Sequence, residues 1–196
     1  FNFLDAKLEK RDYDGLKIVS SVNDKPNAKM DLKSGALSVS GVSFVELSDS
    51  NQVSIFPYGG DLVVHQNRDF TFDGVVETGR FALYGKAINF VYDSFELVFN
   101  NIDSLQYAVP SDLYDNKGLP IDWAVNTVIS DLVGTLSIDA PNNKSGLKDY
   151  PEFPKLKSIK DSYIYYDNIK DGVYERDLFS FKVDSFQLDS LLIIDT

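Results

Sequence analysis

The chain has 196 residues and a formal net charge of −11, from 30 acidic and 19 basic side chains, with a pI near 4.4. It has no Cys and a single His, which excludes disulfides, thiol nucleophiles, thiolate zinc sites, iron–sulfur clusters and any centre needing two imidazoles. The negative charge argues against a nucleic-acid or anionic-membrane partner, no apolar run approaches the roughly 20 residues of a spanning helix, and 43% hydrophobic with 25% charged residues is the balance of a folded globular chain.

The chain opens Phe1-Asn2-Phe3 with charges soon after, which reads as no signal peptide and as an end cut from a larger protein. From Leu37 to about Val109, short runs of Val, Ile, Phe and Tyr alternate with polar residues. Phe70 and Phe72 alternate with Thr71 and Asp73; Phe95, Leu97 and Phe99 alternate with Ser94 and Glu96. Successive strand side chains point to opposite faces, so each run describes a sheet with one buried face. Breakers separate the runs at Gly41, Gly59-Gly60, Asp73-Gly74, Gly79, Gly85 and Asn100-Asn101.

Residues 110–120 read as a loop. A different period follows: Ile121, Val125, Val128, Ile129 and Leu132 fall at i, i+4, i+7, i+8 and i+11. That stripe predicts one helix over about 120–133, with Pro120 at its start and Gly134 at its end. Residues 139–160 read as a second long loop, rich in Asn, Gly and Pro. Period-two alternation returns at Phe179, Phe181 and Val183, and the chain ends within Leu191-Leu192-Ile193-Ile194, an apolar run read as a strand of a truncated piece.

These elements predict an all-β domain with one helix. The close recurrence of short runs between Leu62 and Val109 favours a β-solenoid or β-helix-like stack, with a two-sheet β-sandwich as the alternative. Gly35-Ala36-Leu37-Ser38-Val39 is echoed by Gly134-Thr135-Leu136-Ser137-Ile138, and Asp93-Ser94-Phe95-Glu96-Leu97 by Asp184-Ser185-Phe186-Gln187-Leu188. If the echoes mark a duplication, two stacked β units, about 34–109 and 134–196, are joined by the helix.

Sequence motifs for chemistry are sparse. His65 ends an apolar run and reads as structural or surface; no Gly-x-Ser-x-Gly elbow accompanies it, and no phosphate-binding glycine loop occurs. Three acidic turns suit calcium by composition: Asp112 to Asp115 with Asn116, Asp139 with Asn142 and Asn143, and Asp167 with Asn168 and Asp171. None has EF-hand spacing, so they read as ordinary capped turns, and no metal or cofactor is expected. Carboxylates are too numerous for a glycosidase pair to be singled out. The densest feature is aromatic: Tyr163, Tyr165, Tyr166 and Tyr174, with Trp123 elsewhere. Exposed flat rings on a β surface stack on sugars or anchor a protein partner. In a strand, Tyr163 and Tyr165 share one face and Tyr166 takes the other.

The segments Gly134 with Asn142-Asn143-Lys144-Ser145-Gly146, Tyr163-Ile164-Tyr165-Tyr166-Asp167, Gly172-Val173-Tyr174 and Phe179-Ser180-Phe181 resemble parts of long, uncharacterised, β-rich proteins of Bacteroidetes-type bacteria. The resemblance covers about the last third of the chain, and Phe70 to Leu105 loosely. It implies an internal segment of an envelope or secreted protein, hence an extracytoplasmic location, with neighbouring domains of a parent chain as partners. It carries over no catalytic residue. The expected role is non-catalytic, structural or interaction-bearing; the alternative is a polysaccharide-binding module, with or without calcium.

Overall fold

Short runs rich in Val, Ile, Phe and Tyr fit a pleated, half-buried surface, and they form sixteen strands among the described residues of the computed structural model. It describes residues 17–21, 26–114, 120–124, 128–167 and 173–191, with the backbone alone described at 110–112 and 120–124. The strands are β1 (Lys17–Ser20), β2 (Ala28–Met30), β3 (Leu37–Val39), β4 (Val42–Ser48), β5 (Val53–Pro57), β6 (Leu62–Val64), β7 (Phe70–Thr78) and β8 (Phe81–Val91). There follow β9 (Glu96–Tyr114), β10 (Pro120–Ala124), β11 (Ile129–Ser130), β12 (Leu132–Ser137), β13 (Lys155–Ser158), β14 (Ser162–Tyr165), β15 (Ser180–Val183) and β16 (Gln187–Leu188).

Among the described residues thirteen strands form one sheet, nine of them in the order β1-β4-β5-β7-β8-β9-β11-β14-β15 with β10, β12, β13 and β16 off that path, and β2-β3-β6 form a second, small one. The 19-residue β9 is the spine of the large sheet. Its first part pairs with β12, from Glu96 beside Ser137 to Ile102 beside Leu132. Leu105 pairs with Ile129 of β11, and its far end pairs with β10, from Ala108 beside Ala124 to Tyr114 beside Pro120. Beyond β9 the sheet therefore divides into two limbs, β12-β13-β16 and β11-β14-β15. β11 and β12 lie along one line, interrupted at Asp131, whose φ is +60°.

Two apolar rows cross the buried face. Residues directly opposite in a ladder share a face, so the pairings can be followed strand by strand. One row runs Ile18–Val45–Ile55–Val76–Leu83–Leu105–Ile129–Ile164–Phe181 over nine strands. The other runs Phe70–Phe90–Leu97–Leu136–Leu156–Leu188 over six. Val39, Leu62 and Val64 of the small sheet join the same core cluster. In β8 the inward phase changes from Phe81, Leu83 and Gly85 to Ile88 and Phe90. A bulge makes the change: Ala87 has φ +48°, and its N–H donates to Asp73 Oδ1 at 2.7 Å.

All-β character is found; the helix over 120–133 is not. Residues 120–124 are β10, 129–130 are β11 and 132–137 are β12, while 125–127 lie outside the described residues. Four of the five residues in the predicted stripe are Val or Ile, which are stiff at χ1 and prefer strands. The interruption at Asp131 shifts the alternation between Ile129 and Leu132, and a shifted period of two mimics a helical period. Gly134 is not a helix stop. It sits inside β12, where a Cβ would come within 1.9 Å of the Lys157 carbonyl oxygen.

Every ladder among the described residues is antiparallel. The wound rungs of a parallel β-helix are not the pairing found; β7, β8 and β9 are instead hairpin-connected neighbours, and β6 pairs with β3 in the small sheet. The two segments predicted as units share one sheet through β9, so a ladder joins them where a helix was expected. The first pair of echoes occupies unlike places, β3 in the small sheet and β12 in the large one.

Candidate functional site

β14 lies two ladders from the spine, and its alternation sorts its tyrosines. Ile164 belongs to the buried row, so Tyr163 and Tyr165 face the other side of the sheet. Their rings stack with centroids 5.9 Å apart and planes 19° apart. The Tyr165 hydroxyl donates to Asp131 Oδ2 at 2.5 Å. This bond to a carboxylate, helped by burial and by the Asp131 charge, raises the Tyr165 phenol to about 12 against the opposing pull of Arg176. The Arg176 guanidinium lies over the Tyr165 ring, 4.0 Å from its centroid, and its Nε donates to Asp167 Oδ2 at 3.0 Å.

The predicted aromatic group therefore divides. Tyr163 and Tyr165 form a half-buried pair closed over by Arg176 and tied to Asp131. Tyr166 is exposed and falls outside that stack. Tyr174 meets Phe179 edge-to-face at 5.2 Å. Trp123 lies in β10 with its backbone opposite Val109, on a strand that pairs with β9 and, among the described residues, not with β14. Sequence reading missed Asp131 and Arg176. Asp131 was detectable as the residue that breaks the alternation between Ile129 and Leu132. Arg176 carries no such signal, because only the fold brings it back onto Tyr165.

Clefts open on the surface formed by the described residues. One, of about 390 Å³, is lined by His65, Asp69, Phe70, Thr71, Asn89, Phe90, Val91 and Val98. Within it the Thr71 hydroxyl donates to Asn89 Oδ1 at 2.6 Å. A second, of about 430 Å³, lies between Ser50-Asn51 and the 146–153 loop. A third, of about 310 Å³, is rimmed by Glu46, Asp49 and Glu77, and Lys17 pairs with Glu46 at 3.4 Å.

No group of three or more His, Asp or Glu suited to a metal occurs among the described residues. The turn at Asp139 is a hydrogen-bonded knot. Asp139 Oδ1 accepts from the Ala140 N–H at 2.6 Å and Oδ2 from Asn143 Nδ2 at 2.8 Å. Asn143 also holds both the carbonyl and the N–H of Lys148. Of the other two turns, residues 115–116 and 168–171 lie outside the described set. No helix among the described residues is long and apolar enough to cross a membrane. The chain matches no family model, no curated protein and no solved structure.

Proposed function

We propose that this chain is a non-catalytic structural and interaction segment of a larger envelope or secreted protein. The observation that carries this reading is the nine-strand apolar row, which runs from Ile18 to Phe181 and ends on an exposed aromatic at the border of the sheet. A row of this kind serves a sheet that meets further structure at its border. In the cleft that His65 lines, the Thr71 hydroxyl is bonded to Asn89. The extracytoplasmic placement rests on the resemblance to β-rich bacterial proteins alone.

Polysaccharide binding is the competing reading, and the tyrosines of β14 are its platform. It is the weaker one, because Arg176 already occupies a face of the Tyr165 ring and Asp131 its hydroxyl. A glycan array run on the folded chain, with and without calcium, separates the two. Silence in both conditions is the expected result. Reproducible binding to one polysaccharide class, lost in Tyr163→Ala without unfolding, overturns the proposal.

A further inference from the structure

Resting on that reading, we propose that the outer border of β15 is a strand-addition site for an extended segment of another protein that alternates apolar and basic residues. β15 pairs with β14 on one side and with no other strand among the described residues. A border strand of this kind presents unpaired N–H and C=O groups, the template for β-augmentation.

The side chains of β15 specify what the added strand carries. Phe181 and Val183 lie on the face of the buried row, and Phe181 is 58% exposed. Val45, Ile55, Val76 and Leu83, further back in the same row, are completely buried, and Leu105 is 2% exposed. The row lacks one more neighbour at its end, and an apolar side chain opposite Phe181 supplies it. Leu178 and Phe179, just before the strand, are also exposed, at 71% and 49%, and extend the apolar surface along the chain.

Charge sets the alternate positions. Natural border strands are commonly guarded by an outward Lys, and Lys182 stands in that position. Here the guard is neutralised: Lys182 Nζ is 2.9 Å from Asp161 Oδ2 and 3.1 Å from Asp184 Oδ1. Two carboxylates around one ammonium leave a negative surplus, with Asp184 86% exposed at the side chain. Across residues 173–191, Glu175, Asp177, Asp184 and Asp189 stand against Arg176 and Lys182. Basic residues on the incoming strand complement that surplus. The net charge of −11 opposes the alternative of a second copy on the same border.

The test uses the whole chain and three synthetic probes: a peptide alternating Val and Lys, its Val/Glu counterpart, and a Val/Lys peptide interrupted by Pro. Binding is read by fluorescence anisotropy and located by amide hydrogen exchange. The Val/Lys peptide is expected to slow exchange within 180–183, and the other two are not. Phe181→Ala, at an exposed position and so expected to fold, should weaken binding about tenfold, the effect of losing roughly half of a buried Phe contact. Protection confined to other strands, unchanged affinity in Phe181→Ala, or equal binding of the Val/Glu peptide overturns the site. Protection of 180–183 without peptide, rising with protein concentration and accompanied by a doubled mass in sedimentation, assigns the border to a second copy and also overturns it. The glycan array reads the underlying function separately: a sugar ligand defeats the interaction-segment reading, whereas absent protection at 180–183 defeats this site alone.

Discussion

The two limbs beyond β9 use the same chain, the same face and the same ladder type, yet they end differently. In β12-β13-β16 the row closes: Leu136 and Leu156 are fully buried, and Leu188 packs against the core. The segment before β13 is tied to the residues after β16. Ser190 N–H donates to the Glu152 carbonyl at 3.0 Å, Ser190 Oγ to that of Pro151 at 2.5 Å, and Leu191, 2% exposed, lies against Pro154. In β11-β14-β15 the order of the row is kept but its last member, Phe181, stands out. That limb is fastened on its opposite face, by Tyr165 to Asp131 and by Lys182 to Asp161 and Asp184. A ladder aligns apolar side chains, but only a covering segment takes the last of them out of water.

Four measurements break or sharpen this comparison. The largest contrast is expected between Leu156→Ala and Phe181→Ala. Truncating buried Leu156 should cost about 3 kcal/mol, whereas Phe181→Ala should stay within about 0.5 kcal/mol. Urea midpoints at an unchanged slope measure both; equal losses would erase the distinction between the limbs. Gly134→Ala should cost about 2–3 kcal/mol, because the new Cβ meets backbone, the Lys157 carbonyl, which cannot swing aside. A midpoint shift below about 0.5 kcal/mol would mean that β12 and β13 are packed more loosely than described.

Tyr165→Phe removes the hydroxyl bonded to Asp131 and should cost at most about 1 kcal/mol at neutral pH. Its pH dependence is the sharper readout. The folded phenol is raised to about 12 from an ordinary value of 10.0, so its contribution is complete below pH 10 and is lost as pH rises toward 12. Stability of the parent chain should fall through that window by more than that of Tyr165→Phe; identical profiles would remove the Asp131 bond from the account. The smallest effect is expected at Ser162, whose buried hydroxyl has no hydrogen-bond partner among the described residues. Ser162→Ala should be neutral or slightly stabilising, and a loss above about 1 kcal/mol would show that the hydroxyl is used.

The strands were legible where a period of two ran unbroken. Phe70, Phe72, Leu97 and Phe99 all lie inward, as their alternation requires. The placing of Tyr163 and Tyr165 on one face follows from the same rule and is realised in β14, which ends before Tyr166. The rule failed wherever a bulge changed the phase. Around Asp131 the slip made parts of three strands, β10, β11 and β12, look like one helix, and at Phe95 (φ +56°) a residue read as part of a strand sits in the turn before β9. Partners distant in sequence were not legible. Arg176 reaches Tyr165, and Lys182 reaches Asp161, only after several ladders have formed. The identity of an added strand lies outside periodicity altogether, since alternation describes a face and not what meets it.

From β4 onward most strands of the large sheet pair with one that precedes them closely in the chain. Such a sheet can assemble in the order of synthesis, each new strand closing a short loop onto a template already laid down. Along β4-β5-β7-β8-β9 each added strand is the open border until the next one covers it, whereas β16, the strand after β15, returns to β13. β15 is then a border that the strand following it in the chain passes by. The same surface that invites a partner in the finished molecule would, in a ribosome-bound intermediate, be the one most in need of protection from other nascent chains.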